Sequence, residues 1–217
     1  MKSLHGNISS FSFLAVNTQK SVNSQRNIDF LIATYDPDVV VVSEPGRLSA
    51  GAFSPFLKIV HPNLLILVNP HRVQFICSNT VFVATGEKFA NDVRLVNVTL
   101  CLNGSLCHLL GLYGPTVGHA SRHSFWEALD HEIEKWHDSP VCVLGDFNAL
   151  EREEEATGLV HAKSLVQPHL QRWRASLAVC DLWRWHGRDE GASSLTRCKP
   201  GSQNAGSRID RGLVSRS

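Results

Sequence analysis

Apolar residues recur along this chain with two alternating periods, one strand-like and one helix-like, and the switches between them mark out its elements. Phe11 to Val16 predicts a first strand ending at Asn17. Ile28, Leu31, Ile32 and Tyr35 then fall at i, i+3, i+4 and i+7, the stripe of an amphipathic helix. Pro37 obliges that helix to stop, because its ring disfavours helical geometry at the preceding residue. Asp38 to Glu44 follows as a β-branched run of the kind buried on both faces, carries Glu44 at its C-terminal end, and is closed by Pro45-Gly46.

From Phe56 to Leu112 strands dominate: Leu64 to Val68, Val73 to Ile76, Val81 to Ala84, Val93 to Leu100 and Cys107 to Leu112. The dipeptides Asn69-Pro70 and Asn103-Gly104 predict antiparallel hairpins, the second being the stronger turn signal. Ser121 to His137 predicts a second helix, with Phe125, Leu129, Ile133 and Trp136 on one face and Ser121 as its cap. The run from Val141 to Asn148 is an apolar strand that breaks at Gly145 and delivers Asp146 and Asn148, two positions apart, to one side of the strand end. Leu170, Trp173 and Leu177 sketch a third helix, Asp181 to Arg184 begins another segment, and Ile209 to Val214 predicts a last strand. Strands alternating with helices predict an α/β architecture.

A chain of 217 residues with 43% hydrophobic content can bury a core without disulfides or metals, and one domain over 1–217 is expected. With 21 Lys and Arg against 20 Asp and Glu, the formal charge of +1 excludes a protein that binds nucleic acid through bulk basicity, so any basic footprint is local. The cysteines Cys77, Cys101, Cys107, Cys142, Cys180 and Cys198 have no C-x-x-C spacing and mostly lie in or beside apolar runs, which predicts reduced, buried thiols in an intracellular protein. Asn7, Ser9, Ser10 and Ser12 interrupt the N-terminal segment, so neither a signal peptide nor a spanning helix is expected there.

Asn17, Glu44, Tyr113, Asp146, Asn148 and Asp210 each end or follow an apolar run. A rigid sheet positions side chains at its strand ends, where sites form. A carboxylate such as Asp146 accepts a proton or binds a metal-bound water, and a neighbouring carboxamide such as Asn148 donates to a phosphate oxygen, a pairing that suits phosphoryl transfer at a metal. Taken singly, the same residues also fit turn caps and solvated strand ends. Trp183-Arg184-Trp185 supplies aromatic and guanidinium planes for stacking on exposed bases, or else the edge of a core. Thr196 and Arg197 are candidates for backbone phosphate contacts, whereas Glu151 to Glu155 reads as a hydrated loop or helix start with no metal role.

In order, Asn17, Val42-Ser43-Glu44-Pro45, Tyr113-Gly114-Pro115, Gly145-Asp146-Phe147-Asn148, Ser194-Leu195-Thr196-Arg197 and Ser207-Arg208-Ile209-Asp210 resemble the endonuclease/exonuclease/phosphatase superfamily. Within it the chain looks most like the endonuclease domains of non-LTR retrotransposons, relatives of the apurinic-site endonucleases, over roughly Phe11 to Ser217. The resemblance implies a four-layered α/β sandwich of two mixed β-sheets flanked by helices. It implies Mg²⁺ or Mn²⁺ held by Glu44 with Asn17, since hard ions prefer oxygen ligands. Asp146 would align or deprotonate the attacking water, Asn148 and Tyr113 would hold the phosphate, and Thr196, Arg197 and Ser207 of the matched runs would contact substrate, with Trp183 added as the stacking candidate read from its own chemistry. The implied reaction hydrolyses a DNA phosphodiester to a 3′-hydroxyl and a 5′-phosphate. Nuclear location, no membrane partner and a reverse transcriptase region in a longer parent protein are also implied.

In that family Asp210 would orient a histidine within a Ser-Asp-His motif beyond the last matched strand, and this sequence holds no Ser-Asp-His. The expectation is therefore a last strand missing, an open sheet edge prone to self-association, and impaired activity. His61, His71, His108, His119, His123, His161, His169 and His186 read as ordinary surface or strand residues, with His186 nearest the aromatic segment. Two other readings stay open: an inactive remnant that keeps the fold and weak nucleic-acid binding, and a phosphatase or phosphodiesterase of the same superfamily.

Overall fold

The computed structural model describes residues 12–82, 93–102, 104–115, 119–136, 138–148, 156–157, 167–177, 179–181, 197–198, 206–207 and 210–215. Two mixed sheets face each other. The first contains β1 (Phe13–Asn17), β2 (Val39–Ser43), β3 (Leu57–Val60) and β4 (Leu64–Val68) in the order β1-β2-β4-β3. β1 and β2 run parallel, joined through helix α1 (Ser24–Tyr35), and the other pairs are antiparallel.

The second sheet contains β5 (Gln74–Phe82), β6 (Val93–Leu102), β7 (Ser105–Tyr113), β8 (Val141–Asp146), β10 (Val179–Asp181) and β13 (Asp210–Ser215), in the order β10-β13-β8-β7-β6-β5. Only β7 and β8 pair in parallel, across helix α2 (His119–Ile133) and a following 3-10 turn at Glu134–Trp136. β9 (Ala156–Thr157), β11 (Arg197–Cys198) and β12 (Gly206–Ser207) form a small separate sheet, and α3 (Gln167–Leu177) packs beside α2.

Side-chain alternation along the strands divides the core into layers. Val39 and Val41 of β2 face Val96, Val98, Leu109, Cys142 and Leu144 of the other sheet, while Val40 and Val42 turn to Ile28 of α1. On the far side Leu110, Leu112 and Val143 meet Phe125, Leu129 and Ile133 of α2 and Trp173 and Leu177 of α3. Helix, sheet, sheet, helices: this is the four-layered sandwich that the resemblance implied. It places the C-terminal ends of β1, β2, β7 and β8 at one mouth.

β6 and β7 pair as the hairpin expected there, with Leu102 opposite Ser105 and Gly104 at φ +85, a left-handed value that favours glycine, while Asn103 lies outside the described residues. Asn69-Pro70 does not make a hairpin. Its carbonyl at Asn69 accepts from Arg72 and Val73 at 3.2 and 3.0 Å, and the turn carries the chain from one sheet to the other. The two short strands expected around Ile76 and Val81 fuse into β5, kinked by a register shift between Phe75 and Cys77; Ala84 lies outside the described residues. β3 is an unforeseen edge strand, largely exposed and therefore without a clean apolar alternation.

Helix α1 ends where Pro37 requires, with Asp36 at φ 44 and its N–H donating to the Ile32 carbonyl at 2.9 Å, yet Tyr35 leaves the predicted stripe and is 63% exposed. α2 starts at His119, so Ser121 lies inside the helix rather than at its cap. Cys107 and Cys142 are buried as expected, and burial pushes the Cys107 thiol up to about 11. Cys77 is exposed, however, because it lies on β5, the sheet's outermost strand. His169 is buried on α3 rather than at the surface. Among the described residues no helix is long and apolar enough to cross a membrane.

Candidate functional site

Four strand ends supply the site. β1 and β2 run parallel with Asn17 opposite Ser43, so Asn17 and Glu44, the next residue, leave the first sheet side by side. β7 and β8 run parallel with Tyr113 opposite Asp146, which brings the second sheet's polar ends level with each other. Asp146 is fully buried and reaches back across the sandwich. Its Oδ2 accepts from Asn17 Nδ2 at 2.5 Å, while its Oδ1 accepts from the Asn148 backbone N–H at 2.8 Å.

Asn148 is not a strand residue, since β8 stops at Asp146. The backbone turns sharply there, with Asn148 at φ 47, and its Nδ2 donates to the Gly114 carbonyl at 3.0 Å while Gly114 N–H donates to the Asp146 carbonyl at 2.7 Å. Two glycines allow this closeness. A Cβ on Gly145, whose φ is +143, would stand 2.0 Å from the Leu112 carbonyl oxygen, and one on Gly114 would stand 2.0 Å from that of Phe147. The Gly-Asp-Phe-Asn motif thus owes its glycine to backbone contact between β7 and β8.

Glu44 is held in a left-handed conformation, φ 52, that a non-glycine residue adopts only under constraint. The constraint is visible: its N–H donates to the Asn63 carbonyl at 2.9 Å, and its own carbonyl accepts from Lys20 N–H at 2.9 Å and Thr18 Oγ1 at 2.6 Å. The carboxylate lies near enough to Tyr113 to act on its phenol. Burial pushes the Tyr113 phenol well above its ordinary value, with further upward push from the nearby Glu44 carboxylate and from Asp146, opposed by the cation of Arg94. One phenol thus feels both carboxylates, which places Glu44 and Asp146 at a common site.

Arg94 is a site residue that the sequence reading missed. It is 5% exposed, its Cζ lies 4.9 Å from the centroid of the Tyr113 ring, and its Nη1 donates to the Gly114 carbonyl at 3.2 Å. The signal was present as a lone cation inside the otherwise apolar run Val93-Arg94-Leu95-Val96, since a buried charge demands a partner.

Five of the expected site residues therefore converge: Asn17, Glu44, Tyr113, Asp146 and Asn148. Asp210 joins them by register, its backbone opposite Asp146 across the β8–β13 pair. Arg197 and Ser207 are register partners in the small separate sheet. Trp183, Thr196 and His186 lie outside the described residues.

Among the described residues there is no group of three or more His, Cys, Asp and Glu that could hold a metal. The available donors are two carboxylates, Glu44 and Asp146, and the Asn17 carbonyl, whose Oδ1 accepts from Gln19 N–H at 2.8 Å and keeps a second lone pair. All are hard oxygen donors, the set that Mg²⁺ or Mn²⁺ takes when water and substrate phosphate complete the shell.

No family model and no curated protein matches this sequence. Solved structures do match in shape. The AP endonuclease LMAP from Leishmania major superposes at TM-score 0.70 with 14% identity, covering 94% of this chain and 79% of that one. D. rerio TDP2 complexed with single strand DNA product superposes at TM-score 0.66 with 19% identity, covering 96% and 85%. The endonuclease domain of TRAS1, a telomere-specific non-LTR retrotransposon, superposes at TM-score 0.65 with 14% identity, covering 95% and 86%. Layers, strand order and these superpositions together identify the fold of this chain as that of the endonuclease/exonuclease/phosphatase superfamily.

Proposed function

We propose that this chain is a divalent-metal-dependent DNA endonuclease domain that nicks one strand, leaving a 3′-hydroxyl and a 5′-phosphate. The observation that carries the reading is the meeting of polar strand ends from opposite sheets: Asp146 Oδ2 accepts from Asn17 Nδ2 at 2.5 Å, and Glu44 directly follows Ser43, the register partner of Asn17.

Glu44, with Asn17 Oδ1, would hold Mg²⁺ or Mn²⁺, which when bound supplies charge stabilisation to the scissile phosphate. Asp146 takes the proton from the attacking water. Its orientation for that task is fixed from both sides, by Asn17 Nδ2 and by the Asn148 N–H. Asn148 uses one N–H of its amide on Gly114 and keeps the other for a phosphate oxygen. Tyr113, a neutral phenol at neutral pH, would donate its single O–H to the same oxygens. Asp210 and the substrate contacts from Thr196, Arg197 and Ser207 belong to this reading by resemblance, and Trp183 belongs to it as an aromatic face for an exposed base. So do a nuclear setting and a parent protein bearing the reverse transcriptase that the nick would prime. The fold likeness to the TRAS1 endonuclease domain and to a TDP2 crystallised with single strand DNA product supports DNA as the substrate class.

The test is nicking of supercoiled plasmid with enzyme in excess over DNA and Mg²⁺ or Mn²⁺ present. The expected result is nicked circles that ligase reseals, lost with EDTA and reduced about 10³-fold by Asp146→Ala. Cutting that persists in EDTA or in the variant, or no cutting at enzyme excess, overturns the proposal.

A further inference from the structure

The far side of the six-stranded sheet holds a charged cluster that the site chemistry does not use. Asp130 of α2 is 6% exposed, yet its carboxylate receives three side chains of α3. Oδ1 accepts from Trp173 Nε1 at 2.6 Å, and Oδ2 accepts from Arg172 Nη1 at 2.5 Å and lies 2.8 Å from His169 Nδ1. A buried carboxylate with this many partners is costly to assemble and fixes the geometry of everything bound to it.

What it fixes is an aromatic stack that ends in the site. The Trp173 ring lies 5.8 Å from Trp126 and 6.3 Å from Phe147, and Trp126 stacks on Phe147 at 6.0 Å with an interplanar angle of 21°. The His169 ring lies 6.0 Å from Trp126 on the same side. Phe147 is fully buried and stands between Asp146 and Asn148 in sequence. Its backbone touches Gly114 so closely that no Cβ fits between them, and Asn148 beyond it is held at φ 47. The ring's seat and the turn that aims Asp146 and Asn148 are therefore one mechanical unit.

From this geometry we infer that Asp130 is a positioning residue for the Asp146–Asn148 turn, acting through Trp173, Trp126 and Phe147. It sits on a helix behind the sheet and touches no reacting group. Its carboxylate holds α3 so that the indoles brace Phe147, and the brace keeps the Asn148 N–H on Asp146 Oδ1. The consequence for turnover rests on the nuclease reading above; the consequence for the turn does not.

The test is Asp130→Asn in the full chain, read by amide hydrogen exchange and by nicking kinetics. Exchange at the Asn148 amide is expected to rise about tenfold while Leu109 and Leu110, in the same sheet, keep their wild-type protection. Nicking kcat is expected to fall about tenfold or more with KM for DNA within about twofold, the mark of a misaimed site rather than a lost binding surface. Trp173→Phe, which keeps a ring but removes the donor to Asp130, should shift both readouts in the same direction and covers the case in which Asp130→Asn does not fold. Lys135→Ala, which removes an exposed ion pair with Glu132 at 2.7 Å, should change neither. Unchanged exchange at Asn148 in a folded variant, or a rise equal at Asn148, Leu109 and Leu110, overturns the inference. A wild type that fails to nick while Asn148 exchange still responds overturns the nuclease reading and leaves the positioning role standing.

Discussion

The two sheets furnish the same site in opposite ways. The four-stranded sheet offers Asn17 and Glu44 from half-exposed strand ends, and holds Glu44 through backbone hydrogen bonds that force an unfavourable left-handed conformation. The six-stranded sheet offers Tyr113, Asp146 and Asn148 from buried positions, braced by glycine contacts in front and by an aromatic layer behind. One half of the site is open to solvent and ions, and the other is rigid and dry. That division fits a metal that exchanges with water on one side and a proton acceptor that must not wander on the other.

The largest expected effect comes from the rigid half. Asp146→Asn keeps the shape of the side chain but removes the proton acceptor, and places an amide against the Asn17 amide at a contact now 2.5 Å long. Single-turnover nicking should fall about 10³-fold, and raising Mg²⁺ should not recover it. Glu44→Gln, in the open half, should cost about 10²-fold and should be partly recovered by higher Mg²⁺ or Mn²⁺, because a weakened ligand is offset by mass action. The comparison breaks if the two variants respond alike to added metal.

The asymmetry also explains how much of the molecule was legible beforehand. β2 and β8 could be read because an uninterrupted apolar run ending in a carboxylate leaves few alternatives, and α1 because Pro37 fixes its end. The convergence of Asn17 with Asp146 could not be read from either residue, since 129 positions separate them and only the stacking of two sheets brings them together. It was the ordered series of motifs, not any one of them, that implied it. Arg94 escaped because a cation in a strand is judged by its neighbours in space, here the Tyr113 ring and the Gly114 carbonyl. Asp130 escaped for the same reason: on α2 it is one of several polar residues, beside His131 and Glu132, and its meaning lies in three side chains of a helix some forty residues away. Asn69-Pro70 misled because a turn dipeptide specifies a bend and leaves open whether the next strand returns to the same sheet.

The smallest effect tests whether the two halves communicate, and Tyr113 is where they meet. Loss of one donor in Tyr113→Phe should slow nicking only about tenfold. Its titration is more informative. The chain has two tyrosines, so a Tyr35→Phe background leaves Tyr113 as the sole phenol. Burial first, then the nearby Glu44 carboxylate, hold its phenol above the ordinary value. A group raised on folding contributes stability that is complete below its unfolded value, about 10 for tyrosine, and is lost as pH rises through the folded value. Thermal stability should therefore decline above about pH 10, and decline less in Tyr113→Phe. Cys107, raised to about 11 by burial, contributes a decline of the same sign that remains in that variant. A metal at Glu44 would neutralise the charge that Tyr113 feels, so saturating Mg²⁺ should move the phenolate absorbance to lower pH. An unmoved phenolate signal would mean that Glu44 does not hold the ion, and the open half of the site would lose its assigned role while the rigid half kept its own.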